Sequence, residues 1–165
     1  MIEYLEIDEI QQLKALTKEQ RDALLIATQY ETGCTVSELI NIRREDLRER
    51  HIHVEDRLCR VSTTLLEQLS LYVKTHESPY VFPSRQQDRL TQKRVQQIIR
   101  KRLRALNKDL DKTSPHLLRY SHIVHAVQQN IPLQAIMQQT GLKEMRLSQI
   151  ISQIQTSTGY EEMFT

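Results

Sequence analysis

Glycine and proline are the residues that stop helices, and in 165 residues this chain has three of the one and four of the other. So few breaks leave room for little but helices joined by short turns. The breaks also stand where helical stretches should end. Gly33 follows the run through Ala23-Leu24-Leu25-Ile26-Ala27, Gly141 follows the short stretch from Leu133, and Pro132 follows the stretch from Leu117. The length suits one domain with a sizeable core, spanning residues 1–165.

Local signals fill in the elements. Thr17 with Gln20 reads as a capping box that opens a helix over 18–31. A second helix starts near Val36 and Ser37 and carries Leu39 and Ile40. His51-Ile52-His53-Val54-Glu55 and Leu58-Cys59-Arg60-Val61-Ser62 alternate about Asp56-Arg57, which predicts a β-hairpin turning at those two residues. From Thr63 a helix places Leu65, Leu66, Leu69, Tyr72 and Val73 on one face. A loop with a short extended piece covers 77–84, and Thr91 then caps a helix over 92–106 that buries Val95, Ile98, Ile99, Leu103 and Leu106. A polar loop over 107–113 leads to Ser114 as N-cap and Pro115 at the first position of a helix that runs to about residue 129. A short helix over 133–139 and a last one over 144–155 follow, the last unusually apolar at Met145, Leu147, Ile150, Ile151 and Ile154. The fold class is mainly α with a small antiparallel β-sheet (α+β).

No apolar run approaches the ~20 residues of a membrane span, and the mixed, acidic start is not a secretory signal. Cys34 and Cys59 have no metal-ligand spacing, so buried, reduced thiols in a cytoplasmic protein are expected. The net charge of +2 says little, but its distribution says more. Between residues 85 and 112 lie ten of the 23 basic side chains and three of the 21 acidic ones. Such a concentration suits a polyanion. Arg85, Arg89, Lys93, Arg94, Arg100, Lys101 and Arg104 are the candidates for DNA backbone contact, the alternative being a merely solvated helix face.

Several segments stand in a recognisable order: Thr32-Gly33-Cys34-Thr35-Val36-Ser37-Glu38-Leu39, Asn41-Ile42-Arg43-Arg44-Glu45-Asp46-Leu47, Tyr80-Val81-Phe82-Pro83-Ser84, Ser114-Pro115-His116-Leu117-Leu118-Arg119 and His122-Ile123-Val124-His125. A lone His-x-x-Arg recurs by chance; five such segments at these intervals do not. From about Thr17 to Ile154 the chain resembles the catalytic domain of the tyrosine recombinases, or phage integrases. The resemblance implies that fold, duplex DNA as partner, and no metal or other cofactor. It also implies that the separate N-terminal DNA-clamping domain of many members is absent.

In that family two arginines neutralise the scissile phosphate, a histidine and a lysine assist proton transfer, and a tyrosine becomes linked to DNA. Carried over by position, His116 and Arg119 match, while Thr35 stands where the first arginine belongs, Leu142 where a histidine is usual, and Ile151 where the tyrosine belongs. The hairpin offers Arg57 and Arg60 but no lysine. Losing one charged phosphate contact costs roughly 1.5–3 kcal/mol and slows such chemistry, whereas an isoleucine cannot attack phosphorus. Tyr160, beyond a turn expected over 156–159, is the possible alternative nucleophile, and Tyr120 reads as a packed or surface residue.

We therefore expect a DNA-binding protein of this fold, catalytically inactive by the family's route, with an architectural, regulatory or accessory role in DNA recombination. The alternatives are a divergent recombinase using Tyr160, or a protein-interaction module without DNA affinity. His116 and Arg119, three residues apart, either still grip a phosphate or form a buried anchoring pair. His122 and His125 read as core or capping histidines rather than metal ligands. The helix over 144–155 is core, or also a surface for homo-oligomerisation.

Overall fold

A computed structural model describes residues 2–106 and 114–164, with 155–164 described by backbone alone. The polar loop expected over 107–113 and the side chain of Tyr160 lie outside the described residues. The described residues form eight α-helices and one two-stranded antiparallel hairpin: α1 Ile7–Leu16, α2 Gln20–Thr32, α3 Val36–Ile40, β1 His51–Val54, β2 Arg57–Arg60, α4 Thr63–Tyr72, α5 Gln92–Leu103, α6 Leu117–Gln128, α7 Leu133–Thr140 and α8 Glu144–Phe164.

Helix α2 is the axis of the domain. Leu24, Leu25, Ile26, Ala27, Thr28, Gln29 and Thr32 are all buried, because α1, α3, α4, α6 and β2 pack around it. A helix hidden on nearly every side carries apolar or internally bonded residues all round, and Thr28 and Thr32 accordingly return their hydroxyls to the carbonyls of Leu24 and Thr28. The main core runs from Leu5 to Leu118. A smaller one joins Ile123 of α6, Ile136 of α7, and Leu147 and Ile150 of α8, with Leu142, Ile151 and Ile154 half-buried against it.

Several boundaries differ from the sequence expectation, each for a local reason. The capping box at Thr17 does not form. The Thr17 hydroxyl donates to the Leu13 carbonyl and closes α1, a helix with only Ile10 and Leu13 buried and therefore a weak periodic signal. The hairpin turns at Glu55-Asp56, with Val54 opposite Arg57 and Ile52 opposite Cys59. Glu55 supplies the turn with a φ of 55°, and the one-residue shift sends Arg57 and Cys59 inward and Leu58 outward. Ser62 is not in a strand but caps α4, accepting from the Leu65 N–H. Thr91 caps α5 as expected. Ser114 and Pro115 form a turn ahead of α6, whose N-cap is His116. The turn expected over 156–159 is absent, for α8 runs on to Phe164.

Helices α2 and α7 both end on a left-handed glycine, Gly33 at φ 67° and Gly141 at φ 75°. A Cβ on Gly33 would come within 2.8 Å of His122 Cδ2. Gly33→Ala combines the left-handed penalty of about 1–2 kcal/mol with that overlap, and should lower unfolding free energy by about 2 kcal/mol or more, read from the urea midpoint.

Candidate functional site

The ends of α2 and α7 meet at Arg119. Its Nη1 donates to the carbonyls of Gly33 at 3.0 Å and Thr140 at 2.9 Å, so one guanidinium bridges the C-termini of two helices. Carbonyl-rich helix ends are where a cation is best placed. Arg119 is 8% exposed. Burial pulls its pKa down, the Glu38 carboxylate 3.8 Å away opposes this, and a guanidinium stays charged. Its Nε and Nη2 form no hydrogen bond among the described residues. One edge of the fork is therefore anchored and the other is unused.

Thr35 has a structural part of its own. It caps α3: its Oγ1 accepts from the Glu38 N–H at 3.1 Å, and Glu38 Oε1 accepts from the Thr35 N–H at 2.9 Å. That reciprocal box aims the Glu38 carboxylate at β2, where Arg57 meets it with Nη1 and Nη2, both at 2.8 Å. Arg57 Nε donates to the Gln139 carbonyl of α7 at 3.1 Å. Burial alone would raise the Glu38 carboxyl, but the Arg57 and Thr35 hydrogen bonds outweigh it and hold the group below the usual carboxylate range. Burial likewise works against the charge on Arg57, and Glu38 reverses that. Gly141 allows the packing, since a Cβ there would lie 2.6 Å from Arg57 Nη1. Glu38 and Gln139 were not singled out in the sequence. The Thr35-x-x-Glu38 spacing carries a readable capping signal; nothing marks Gln139.

His116 is half-buried at the head of α6, edge-on to Tyr120 with ring centroids 6.0 Å apart. Burial, followed by the charges of Arg119 and Arg146, holds its imidazole below the usual histidine range. Tyr120 in turn accepts a long hydrogen bond from Arg146 Nη2 at 3.4 Å. Leu142 and Ile151, at the positions where the resemblance calls for histidine and tyrosine, are half-buried in the smaller core. The stripe of Leu147, Ile150, Ile151 and Ile154 packs within its own chain, while Met145 is 76% exposed. Tyr160 lies on the backbone of α8, nine residues and about 13 Å along the axis beyond Ile151.

The seven candidate DNA cations are all exposed, but they do not form one row. Lys93, Gln97, Arg100 and Arg104 recur at steps of four, three and four and make a stripe beside Lys101. Arg85, Arg89 and Arg94 instead line a cleft of about 620 Å³ with Arg21 and Asp88, and Arg89 donates to Asn41 Oδ1 at 2.6 Å. Arg102 faces the other way, paired with Asp22 at 2.9 Å.

His122 and His125 serve the α2–α6 interface. His122 Nδ1–H donates to the Tyr30 carbonyl at 2.8 Å, and His125 Nδ1 shares a 2.6 Å hydrogen bond with the Tyr30 hydroxyl. Burial pushes His122 down to about 4 and lowers His125 as well, and burial pushes the Cys34 thiol up to about 12. Both cysteines are free and buried. Among the described residues no three His, Cys, Asp or Glu side chains group as a metal site, and no helix is long and apolar enough to cross a membrane.

The phage integrase family model matches residues 3–154. Tyrosine recombinase XerA of Pyrococcus horikoshii is 27% identical over 162 residues, covering 90% of this chain and 56% of the relative. The crystal structure of XerA recombinase superposes with a TM-score of 0.81 at 24% identity, over 91% of this chain and 60% of that one. XerH site-specific recombinase in its pre-cleavage complex with difH substrate gives 0.78 at 16% identity, over 92% and 50%. The chain spans about half the length of the curated relatives it matches.

Two outcomes follow from the geometry. Arg57→Gln and Glu38→Gln should each cost about 2–4 kcal/mol by stranding a partly buried charge, and the double variant should cost less than their sum in urea unfolding. The fold also holds His122 neutral, with its pKa depressed from 6.5 to about 4. Its contribution is therefore complete above pH 6.5 and is lost as pH falls from 6.5 to 4, on the order of 3 kcal/mol. Urea midpoints across that range should show the loss, and His122→Asn should flatten it.

Proposed function

Because the chain belongs to the phage integrase family, we propose that it is a DNA-binding domain of the tyrosine-recombinase fold that does not cut DNA by the family's route. Its role is architectural, regulatory or accessory in recombination. What supports this most is the solvent-facing arc of α5 and its end: Lys93, Arg94, Gln97, Arg100, Lys101 and Arg104 are exposed together, five cations with no carboxylate among them. From Lys93 to Arg104 the stripe runs about 16 Å, long enough to follow several phosphates of a duplex. Arg85, Arg89 and Arg94, around their cleft, extend the same chemistry. Such contacts supply affinity more than choice of sequence. His116 and the unused edge of Arg119 complete the phosphate-facing surface, since a side-on guanidinium fork matches two phosphate oxygens.

Ile151 supports the non-cutting half of the proposal. It is half-buried against α6 and α7, and it offers no hydroxyl. Thr35, with its Oγ1 committed to the α3 cap, brings no positive charge. Two arginines and a tyrosine are what the resemblance requires for transfer; one arginine and no tyrosine stand at those positions.

Fluorescence anisotropy of a labelled generic duplex across a salt series tests the binding half. Affinity should fall steeply with salt, and Lys93→Ala/Arg100→Ala/Arg104→Ala should flatten the logarithmic slope by roughly one for each cation removed. Flat, negligible binding by the native chain would reject DNA as the partner and point to a protein-interaction module. On a nicked suicide duplex no SDS-resistant adduct should form. An adduct that disappears in Tyr160→Phe would overturn the non-cutting half.

A further inference from the structure

Arg146 of α8 has no assigned role in the inherited pattern, yet it is drawn to the head of α6. Its Nη2 donates to the Tyr120 hydroxyl at 3.4 Å, and its Nη1 reaches only Gln149 Oε1, also at 3.4 Å. Among the described residues no carboxylate stands within ion-pair distance of it. It is an exposed cation. Tyr120 carries the connection inward, for its ring stands edge-on to His116, and the next residue back along α6 is Arg119, with Nε and Nη2 unused. The first turn of α6 holds no acidic side chain to meet the positive end of that helix.

The other side of the same spot connects to α5. Ser114 and Pro115, immediately before His116, share a small cleft with Gln96, Ile99 and Arg100. Arg100 belongs to the exposed stripe of α5, so the stripe leads to the head of α6, and from there Tyr120 leads to Arg146. Three helices thus bring polar donors to the neighbourhood of the head of α6, with no carboxylate among the named side chains.

We propose that Arg146, together with the Tyr120 hydroxyl, His116 and the free edge of Arg119, forms a phosphate-binding site for the DNA backbone that continues the track begun on α5. The proposal rests on the DNA-binding reading above and adds to it a second guanidinium. That guanidinium comes from α8, since Thr35 at the head of α3 carries none. A phosphodiester has two non-bridging oxygens and one negative charge; Arg119 and Arg146 stand on different helices, and the phenolic hydroxyl adds a neutral donor.

The test uses the anisotropy salt series with Arg146→Ala, Arg146→Lys and Tyr120→Phe in the whole chain. Arg146→Ala should weaken duplex binding roughly tenfold at low salt and reduce the logarithmic salt slope by about one. Arg146→Lys should keep the slope, because the charge remains. Tyr120→Phe should lose about threefold in affinity with the slope unchanged. Thermal midpoints of the Arg146 variants should match the native one, since the side chain is exposed and outside the core. A native chain that binds DNA while Arg146→Ala keeps both affinity and slope would overturn this site alone. A native chain that binds no DNA would overturn the reading it rests on, and the site with it.

Discussion

The arrangement depends on one buried cation placed between two helix ends. Helices α2 and α7 arrive at the same point with their C-termini, each leaving carbonyls that no further turn can satisfy. Two negative helix ends cannot share a dry site unaided. The Arg119 guanidinium lies between them and takes a carbonyl from each, at 3.0 and 2.9 Å. These are charge-assisted bonds in a site that is 8% exposed, where an unpaired group would be costly. Both helices stop on left-handed glycines at that point, and the missing Cβ atoms leave room for His122 beside one and Arg57 beside the other.

From that anchor the neighbouring charges sort themselves. Glu38, set by the α3 cap, has Arg57 as its close partner and Arg119 at longer range. Arg57 is thereby occupied on all three guanidinium nitrogens, by Glu38 and Gln139. Among the described residues Arg102 is paired through its Nη2 alone, with Asp22 at 2.9 Å and Glu19 at 3.5 Å. Arg57, Arg102 and Arg119 have carboxylates beside them, and Arg44 is held by His76 and the Ser78 carbonyl; the cations along the outer arc of α5 have no carboxylate on their own face. A cation can forgo a partner only where water or a ligand reaches it, and the exposed arc of α5 meets that condition.

Much of the fold was readable along the chain, because it depends on short-range pattern. The Thr91 cap, the burial of Val95, Ile98, Ile99 and Leu103, the Gly33 and Gly141 stops and the presence of a hairpin are all local facts. What was misread failed for want of tertiary information. Thr17 and Ser62 are ambiguous in sequence, since a hydroxyl can close one helix as readily as open the next, and can cap a helix as readily as end a strand. The hairpin register was one residue off because the turn pair is weak, and packing against α7 decided which face of β2 is inward. Helix α1 buries too few side chains to show a period.

The sequence by itself determined the class of the chain, the family it resembles, and which side chains stand at positions 35, 142 and 151, because periodicity, motif order and residue identity are all read along the chain. Only the tertiary structure decided what the remaining side chains do. That Thr35 caps a helix, that Arg57 is neutralised by Glu38, that Arg119 is anchored through one nitrogen to two helix ends, and that Arg146 approaches Tyr120 all depend on elements that meet across 19 to 86 residues of chain or at a helix end. Charge pairing and burial are properties of distance in space, and no local pattern encodes them.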